Sequence, residues 1–245
     1  MSGFRLALIN PNTDASHTSA MAQAVREVLD PPAEVAAYTV ARGAQSIESS
    51  ADETFAAAEV LRTLQNHPDH DAYLIACFSD PALHAARELT SAPVVGISEA
   101  AYAAVGMLAR RFAVITTLAR GRPEIEDAIA HAGLAHRCVG VLALEIPVAA
   151  QGAAFPDTTD AIVALGERAV SELGAEAIVL ACGGMSDVER TATRALGVPA
   201  TNGVAVGALF AHALWRAGLA TAKRGSYASP EAIPYRGMPA LNALG

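Results

Sequence analysis

Short apolar runs alternate with longer stretches of mixed polarity along this chain, and the alternation predicts strands and helices in turn. The first run, Leu6-Ala7-Leu8-Ile9, stops at Asn10-Pro11-Asn12-Thr13-Asp14. That turn offers caps to a helix through Met21, Val25 and Leu29. A second strand is expected over 35–40 and a helix over 54–64. Strands follow over 73–76 and 94–97, separated by a helix with Asp80 as N-cap and Pro81 as first residue. The pattern then restarts, with strands over 112–115, 138–144 and 177–180 and a helix over 159–173. Ser186-Asp187-Val188-Glu189 spells a capping box for one more helix. The uncharged stretch 195–215 contains Gly197, Pro199, Asn202, Gly203 and Gly207, which suits a buried strand and loop better than a membrane span. Short apolar strands between helices mean parallel sheets covered on both faces.

The restart is a repeat. Arg5-Leu6-Ala7-Leu8-Ile9-Asn10 matches Arg111-Phe112-Ala113-Val114-Ile115-Thr116 at an offset of 106 positions. Cys77 and Cys182 each close an apolar run and lie 105 apart, and Pro93 and Pro199 lie 106 apart. The expectation is an α/β fold of two similar domains related by pseudo-two-fold symmetry. Each is a mostly parallel sheet flanked by helices, with the active site in the cleft between them. Residues 1–98 plus 212–245 are expected to form the first domain, completed by the C-terminal segment, and 99–211 the second. Loops, including 151–157, are expected to wall the cleft.

Composition narrows the chemistry. A net charge of −8 argues against a nucleic-acid surface. No basic stretch followed by an apolar segment opens the chain, so a soluble cytoplasmic protein without a membrane partner is expected. Three cysteines are an odd number and read as free thiols, not as a disulfide framework. Lys223 is the only lysine, which removes the Schiff-base residue of a pyridoxal-phosphate site and the lysine of a Walker loop. The seven histidines show no ligand spacing: His67-Pro68-Asp69-His70 reads as a turn, and His131 and His136 have no thiol or carboxylate suitably placed. Neither a cofactor nor a metal is expected.

Ligands of parallel sheets bind at the carboxyl ends of strands, where Asn10, Cys77, Thr116 and Cys182 all fall. A lone cysteine there is more often core than nucleophile. Two at repeat-equivalent ends are not explained by core filling, and helix N-termini beside them would lower their thiol pKa values. Two thiols facing each other across a cleft suit moving a proton from one face of a carbon to the other. Ser79 can hold a carbonyl oxygen, and the amides of Gly183 and Gly184 can face a developing oxyanion. Thr116 and Thr117 would line the same cleft. Cys138 opens an apolar strand with no such turn after it and reads as core.

Several segments together resemble the aspartate/glutamate/hydantoin racemase superfamily, and most of all its hydantoin and allantoin racemase branch. They are Ile9-Asn10-Pro11-Asn12-Thr13, Ser46-Ile47-Glu48, Ile75-Ala76-Cys77-Phe78-Ser79-Asp80-Pro81, Arg87-Glu88, Pro93-Val94-Val95-Gly96-Ile97 and the stretch from Phe112 to Thr117. The resemblance runs from about residue 5 to residue 215. It implies two similar α/β domains and cofactor-independent racemisation of 5-substituted hydantoins or allantoin, with Cys77 and Cys182 as the two bases. Asn10, Phe78, Ser79, Thr116, Thr117, Gly183 and Gly184 are the expected substrate-binding residues. The amino-acid racemase branches typically carry Asn-Thr after the cysteine. Phe78-Ser79 and Gly183-Gly184 stand here instead, which points to a neutral cyclic ureide over aspartate or glutamate. Ala181-Cys182-Gly183-Gly184-Met185 stands where that branch more often has Gly-Cys-Ala-Gly-Met. A homo-oligomer is expected. The alternatives are an amino-acid racemase, a maleate isomerase or an arylmalonate decarboxylase of the same superfamily, and, from another class, a non-catalytic small-molecule sensor.

Overall fold

Each half of the chain gathers four strands into a parallel sheet, with the edge strands over 34–39 and 138–143 half-buried and the central strands buried on both faces. The structure is a computed structural model and describes residues 3–146, 155–231 and 233, with only the backbone of 155–157. In the first half, β1 (Arg5–Asn10), α1 (Ala15–Arg26), β2 (Glu34–Thr39), α2 (Ser50–Asn66), β3 (Ala72–Ile75), α3 (Leu83–Leu89) and β4 (Val94–Gly96) build a sheet of order β2-β1-β3-β4. After α4 (Ile97–Leu108), the second half repeats the plan. Its elements are β5 (Phe112–Thr116), α5 (Arg122–His131), β6 (Cys138–Ala143), α6 (Phe155–Leu173), β7 (Ala177–Leu180), α7 (Glu189–Leu196), β8 (Ala200–Thr201) and α8 (Val204–Arg216). The order is β6-β5-β7-β8, the same as in the first sheet.

Strand alternation divides the core. Ala7, Ile9, Tyr73 and Ile75 face outward and pack with Val60 and Leu64 of α2 and Leu83 of α3. Ala113, Ile115, Ile178 and Leu180 likewise face Ile162 of α6 and Ala192 of α7. The remaining faces share one core. Leu6, Leu8, Leu74 and Val95 from one sheet and Phe112, Val114, Ala177 and Val179 from the other join a single cluster with α1, α4 and α8. Within it α4 packs on β7 of the second sheet, and α8 packs on β3 and β4 of the first. The two halves therefore exchange helices across their contact.

Three local expectations are corrected. Asp80 does not cap the helix that follows it. Its φ is +47° and that of Ala82 is +62°, so the chain turns twice in the left-handed region before α3 begins at Leu83. The Asp80 carboxylate instead accepts the N–H groups of Ser98 (3.0 Å) and Glu99 (2.9 Å), capping α4 from a distance in sequence. Ser186 does not open a capping box: its hydroxyl donates to the Gly183 carbonyl at 2.8 Å, and α7 starts only at Glu189. The stretch expected as strand and loop over 195–215 is mostly the helix α8. Among the described residues no helix is long and apolar enough to cross a membrane.

The segment after α8 lies along α3. Lys223 donates to the carbonyls of Arg87 (3.1 Å) and Glu88 (2.6 Å) at the end of that helix, where a cation suits the helix dipole. Tyr227 stacks on His84 and bonds its Nδ1 at 2.8 Å. The expected cleft loop over 151–157 lies outside the described residues as far as 154, and from 155 the chain is already α6.

Candidate active site

In a sheet whose first strand is central, chain crossovers leave β1 in opposite directions, so a crevice opens at the carboxyl ends of β1 and β3. The identical order of the second sheet opens the matching crevice between β5 and β7. Cys77 lies two residues beyond β3, and Cys182 two residues beyond β7. Both line one cavity of about 390 Å³, with Phe78, Ser79, Thr116, Thr117, Gly183 and Gly184 beside them. The structure thus brings together eight of the nine expected site residues.

Asn10 is the exception. It is fully buried, and its carboxamide is consumed within the first turn. Nδ2 donates to Asn12 Oδ1 (2.8 Å), the Asp14 carbonyl (3.0 Å) and Thr18 Oγ1 (2.9 Å), while Oδ1 accepts from the Asn12 amide. A buried amide satisfies its donors locally wherever it can, because an unmade bond costs about 1–3 kcal/mol. Asn10 shapes the turn, and Asn12 reaches the cavity wall in its place.

The thiols are not placed at α-helix N-termini. Cys182 precedes only a single 3-10 turn, Gly183–Met185, and Cys77 precedes the left-handed turn before α3. Burial dominates their titration. It raises the Cys77 thiol above its ordinary value, opposed by the Ser79 amide and hydroxyl and reinforced by the charges of Asp80 and Glu53. The Ser79 hydroxyl lies 3.6 Å from the Cys77 sulfur. Cys182 is pushed up to about 12, first by burial and then by Cys77 and Glu48, against the pull of the Gly184 amide. The expected lowering of both pKa values is therefore reversed. The Gly184 N–H also points at the Cys182 sulfur, not at open space. Gly183 lies close to Met21: a Cβ there would stand 2.7 Å from Sδ, which the flexible Met21 side chain would have to move to admit.

The sequence reading missed the opposite wall. Glu48 and Ser49 come from just before α2, Glu53 from its first turn, and Arg120, Glu124 and Asp127 from the turn before α5 and from α5 itself. Burial raises the Glu53 carboxyl, with the Glu124 charge adding to it. Ser46-Ile47-Glu48, already part of the resemblance, was the one available signal; the others are charges on helix faces that look solvated in one dimension. Arg87 and Arg190 do not line the cavity. Arg87 bonds the Val94 carbonyl and Glu99, and Arg190 pairs with Glu27. Among the described residues no group of three or more His, Cys, Asp or Glu side chains is arranged to hold a metal.

A family model described as Asp/Glu/Hydantoin racemase matches residues 6–211. A hydantoin racemase of Rhizobium meliloti is 40% identical over 225 residues, covering 91% of this chain and 93% of its own. The solved structure of an allantoin racemase from Klebsiella pneumoniae superposes with a TM-score of 0.88 at 36% identity, over 96% of this chain and 97% of the other. The corresponding values for an allantoin racemase from Pseudomonas fluorescens are 0.91 and 34%, over 96% and 100%. Arylmalonate decarboxylase, at 22% identity and a TM-score of 0.60, shares the fold. With two like-ordered sheets, one thiol at the crevice of each, and a family match that spans both, the chain belongs to the Asp/Glu/hydantoin racemase family.

Proposed function

We propose that this protein racemises 5-substituted hydantoins or allantoin without a cofactor, using Cys77 and Cys182 as the two bases. The observation that carries the reading is the pair of repeat-equivalent thiols lining one cavity. The hydrogen on ring carbon 5 is acidified by the neighbouring carbonyl. A thiolate on one face takes that proton and becomes a thiol, leaving an enolate. The thiol on the opposite face then protonates carbon 5 and becomes the thiolate, so the next turnover runs in reverse. Ser79, Thr116, Thr117 and Asn12 surround the same space with neutral hydrogen-bonding groups for the ring carbonyls and amides. Phe78, held edge-on to Tyr102 with ring centroids 5.7 Å apart, gives the cavity a rigid apolar wall.

The wall charges favour a neutral ring. Among the described residues, Glu48, Glu53, Glu124 and Asp127 line the cavity against Arg120 as its one Arg or Lys. A free dicarboxylic amino acid would place two more anions there. Side-by-side polarimetry at equal concentration, after dialysis against EDTA, should show turnover of a neutral hydantoin or allantoin. Turnover of free aspartate or glutamate should be at least ~100-fold slower, the loss of about 3 kcal/mol typical of an unpaired charge. The reverse preference would move the protein to the amino-acid racemase branch, and a requirement for an added metal would remove the two-thiol mechanism.

The pH dependence follows from the raised thiols. Catalysis needs one thiolate and one thiol, and burial keeps both protonated near neutrality. kcat/KM should rise with pH through and beyond the ~8.5 of a free thiol, close to tenfold per unit. It should fall only as the second proton is lost, toward the value of about 12 at Cys182. The two limbs belong to the coupled pair. The same shift bears on stability. A raised folded-state pKa stabilises the fold fully below the unfolded thiol value, and this contribution is lost as pH climbs toward the folded value. A rate already level at pH 7 would contradict the burial argument.

A further inference from the structure

The two thiol-bearing turns are tied to a common element. From the first half, Asp80 follows Cys77 by three residues and accepts the N–H groups of Ser98 and Glu99, in the first turn of α4. Gly96 makes room for this: a Cβ there would lie 2.2 Å from the Asp80 carboxyl carbon. From the second half, the fully buried Asn202 donates Nδ2 to the Gly183 carbonyl (3.1 Å), the Ser186 hydroxyl (2.9 Å) and, at 3.4 Å, the Cys182 carbonyl. Its neighbour Gly203 sits against Ile97, the first residue of α4, so closely that a Cβ would lie 1.8 Å from the Ile97 carbonyl oxygen. The far end of α4 is held by Arg137, whose guanidinium bonds the carbonyls of Gly106 (2.9 Å), Ala109 and Arg110. We propose that the first turn of α4 is the brace that sets the separation of the two thiols, with Asp80 and Asn202 as the positioning residues that tie each thiol turn to it.

The physical case is geometric. A two-base reaction needs both sulfurs within proton-transfer reach of one carbon, and misplacement by about 1 Å can cost ~100-fold. The two crevices belong to different sheets, so neither sheet alone controls the sulfur–sulfur distance. The first turn of α4 does, because both thiol turns are tied to the same three consecutive residues, Ile97, Ser98 and Glu99, within one rigid helical turn. The halves use repeat-equivalent places for their ties. Asp80 and Ser186 lie 106 apart, as do Gly96 and Asn202. The thiol turn accepts in both halves, but the tying side chain differs: Asp80 of the thiol turn itself supplies it in the first half, and Asn202, beyond β8, supplies it in the second.

The inference rests on the two-thiol reading, and the test separates the two. Enantiopure hydantoin is incubated in deuterated buffer with wild type, D80N, D80A or N202A. Loss of the carbon-5 proton signal and loss of optical rotation are followed together, above the uncatalysed rates. Loosening one turn displaces one thiol, so racemisation should fall at least tenfold while exchange at the other thiol stays within about threefold. D80N and D80A should spare exchange of the enantiomer served by Cys182, and N202A that of its mirror image. D80N keeps one acceptor oxygen and should lose less than D80A, so it serves where D80A does not fold. Parallel loss of exchange and racemisation in both sets of variants, or no change in either, would overturn the brace. Racemisation surviving in C77S or C182S would overturn the two-thiol reading itself, and the brace with it.

Discussion

Serine in place of either Cys77 or Cys182 is expected to lower racemisation by about 10²–10⁴-fold, the range for removing one positioned general acid–base group. A serine hydroxyl is almost the size of a thiol but far less acidic, so it can neither take the carbon-bound proton nor become the required anion near neutral pH. The two variants should fail in complementary ways. Each retains one competent sulfur and should exchange the carbon-5 proton of one enantiomer with solvent, the two preferring opposite enantiomers. Cys138 supplies the control. Its half-buried side chain packs against the shared core, and its sulfur lies 3.6 Å from the Gly140 carbonyl, away from the cavity. C138S should leave racemisation within about twofold while lowering stability by the ~1 kcal/mol of a partly buried apolar group made polar. Polarimetry with proton exchange followed by NMR reads all three variants. Undiminished racemisation in C77S or C182S would sink the mechanism.

Gly203→Ala should be among the most destabilising single changes in the chain, costing more than about 4 kcal/mol. Two effects add. The residue has φ +84°, where an L side chain costs roughly 1–2 kcal/mol. The new Cβ would also meet the Ile97 carbonyl oxygen at 1.8 Å and its carbon at 2.7 Å, backbone atoms that no rotamer change can move. The first turn of α4 would have to shift, and with it the ties to Asp80. Gly197 shows the first effect alone. Its φ is +66°, but a Cβ there has nothing within 4 Å, so Gly197→Ala should cost only about 1–2 kcal/mol. Urea denaturation of the two variants would measure the difference. Equal midpoints would mean that the α4 contact at Gly203 yields without cost.

Much of the fold was legible because its signals are local. Leu6 to Ile9, Tyr73 to Ile75, Phe112 to Ile115 and Ala177 to Leu180 are runs that can only be buried strands, and the structure places a strand on each. Helix α5 was not anticipated, nor were α4 and α8, which share one reason. Both are apolar nearly all round, since they sit where the two sheets share a core. A helix buried on several sides has no polar stripe for periodicity to find. Asp80 was read correctly as a helix cap but assigned to the wrong helix, because a cap is recognised by residue type while its partner is chosen by the turn before it.

The sequence alone determined that there are two related halves, that each ends a strand with a thiol, and that both thiols stand at crevices of parallel sheets. Those facts follow from apolar periodicity and spacing, which act over a few residues. Only the tertiary structure decided the electrical state of the thiols, since burial depends on what covers them, and that reversed the expected direction of both pKa shifts. It likewise withdrew Asn10 into its own turn, brought Glu53, Arg120 and Glu124 to the cavity, and tied both thiol turns to one helix. Each of these joins residues distant in sequence, and such contacts are set by how the two halves pack, which no local pattern records.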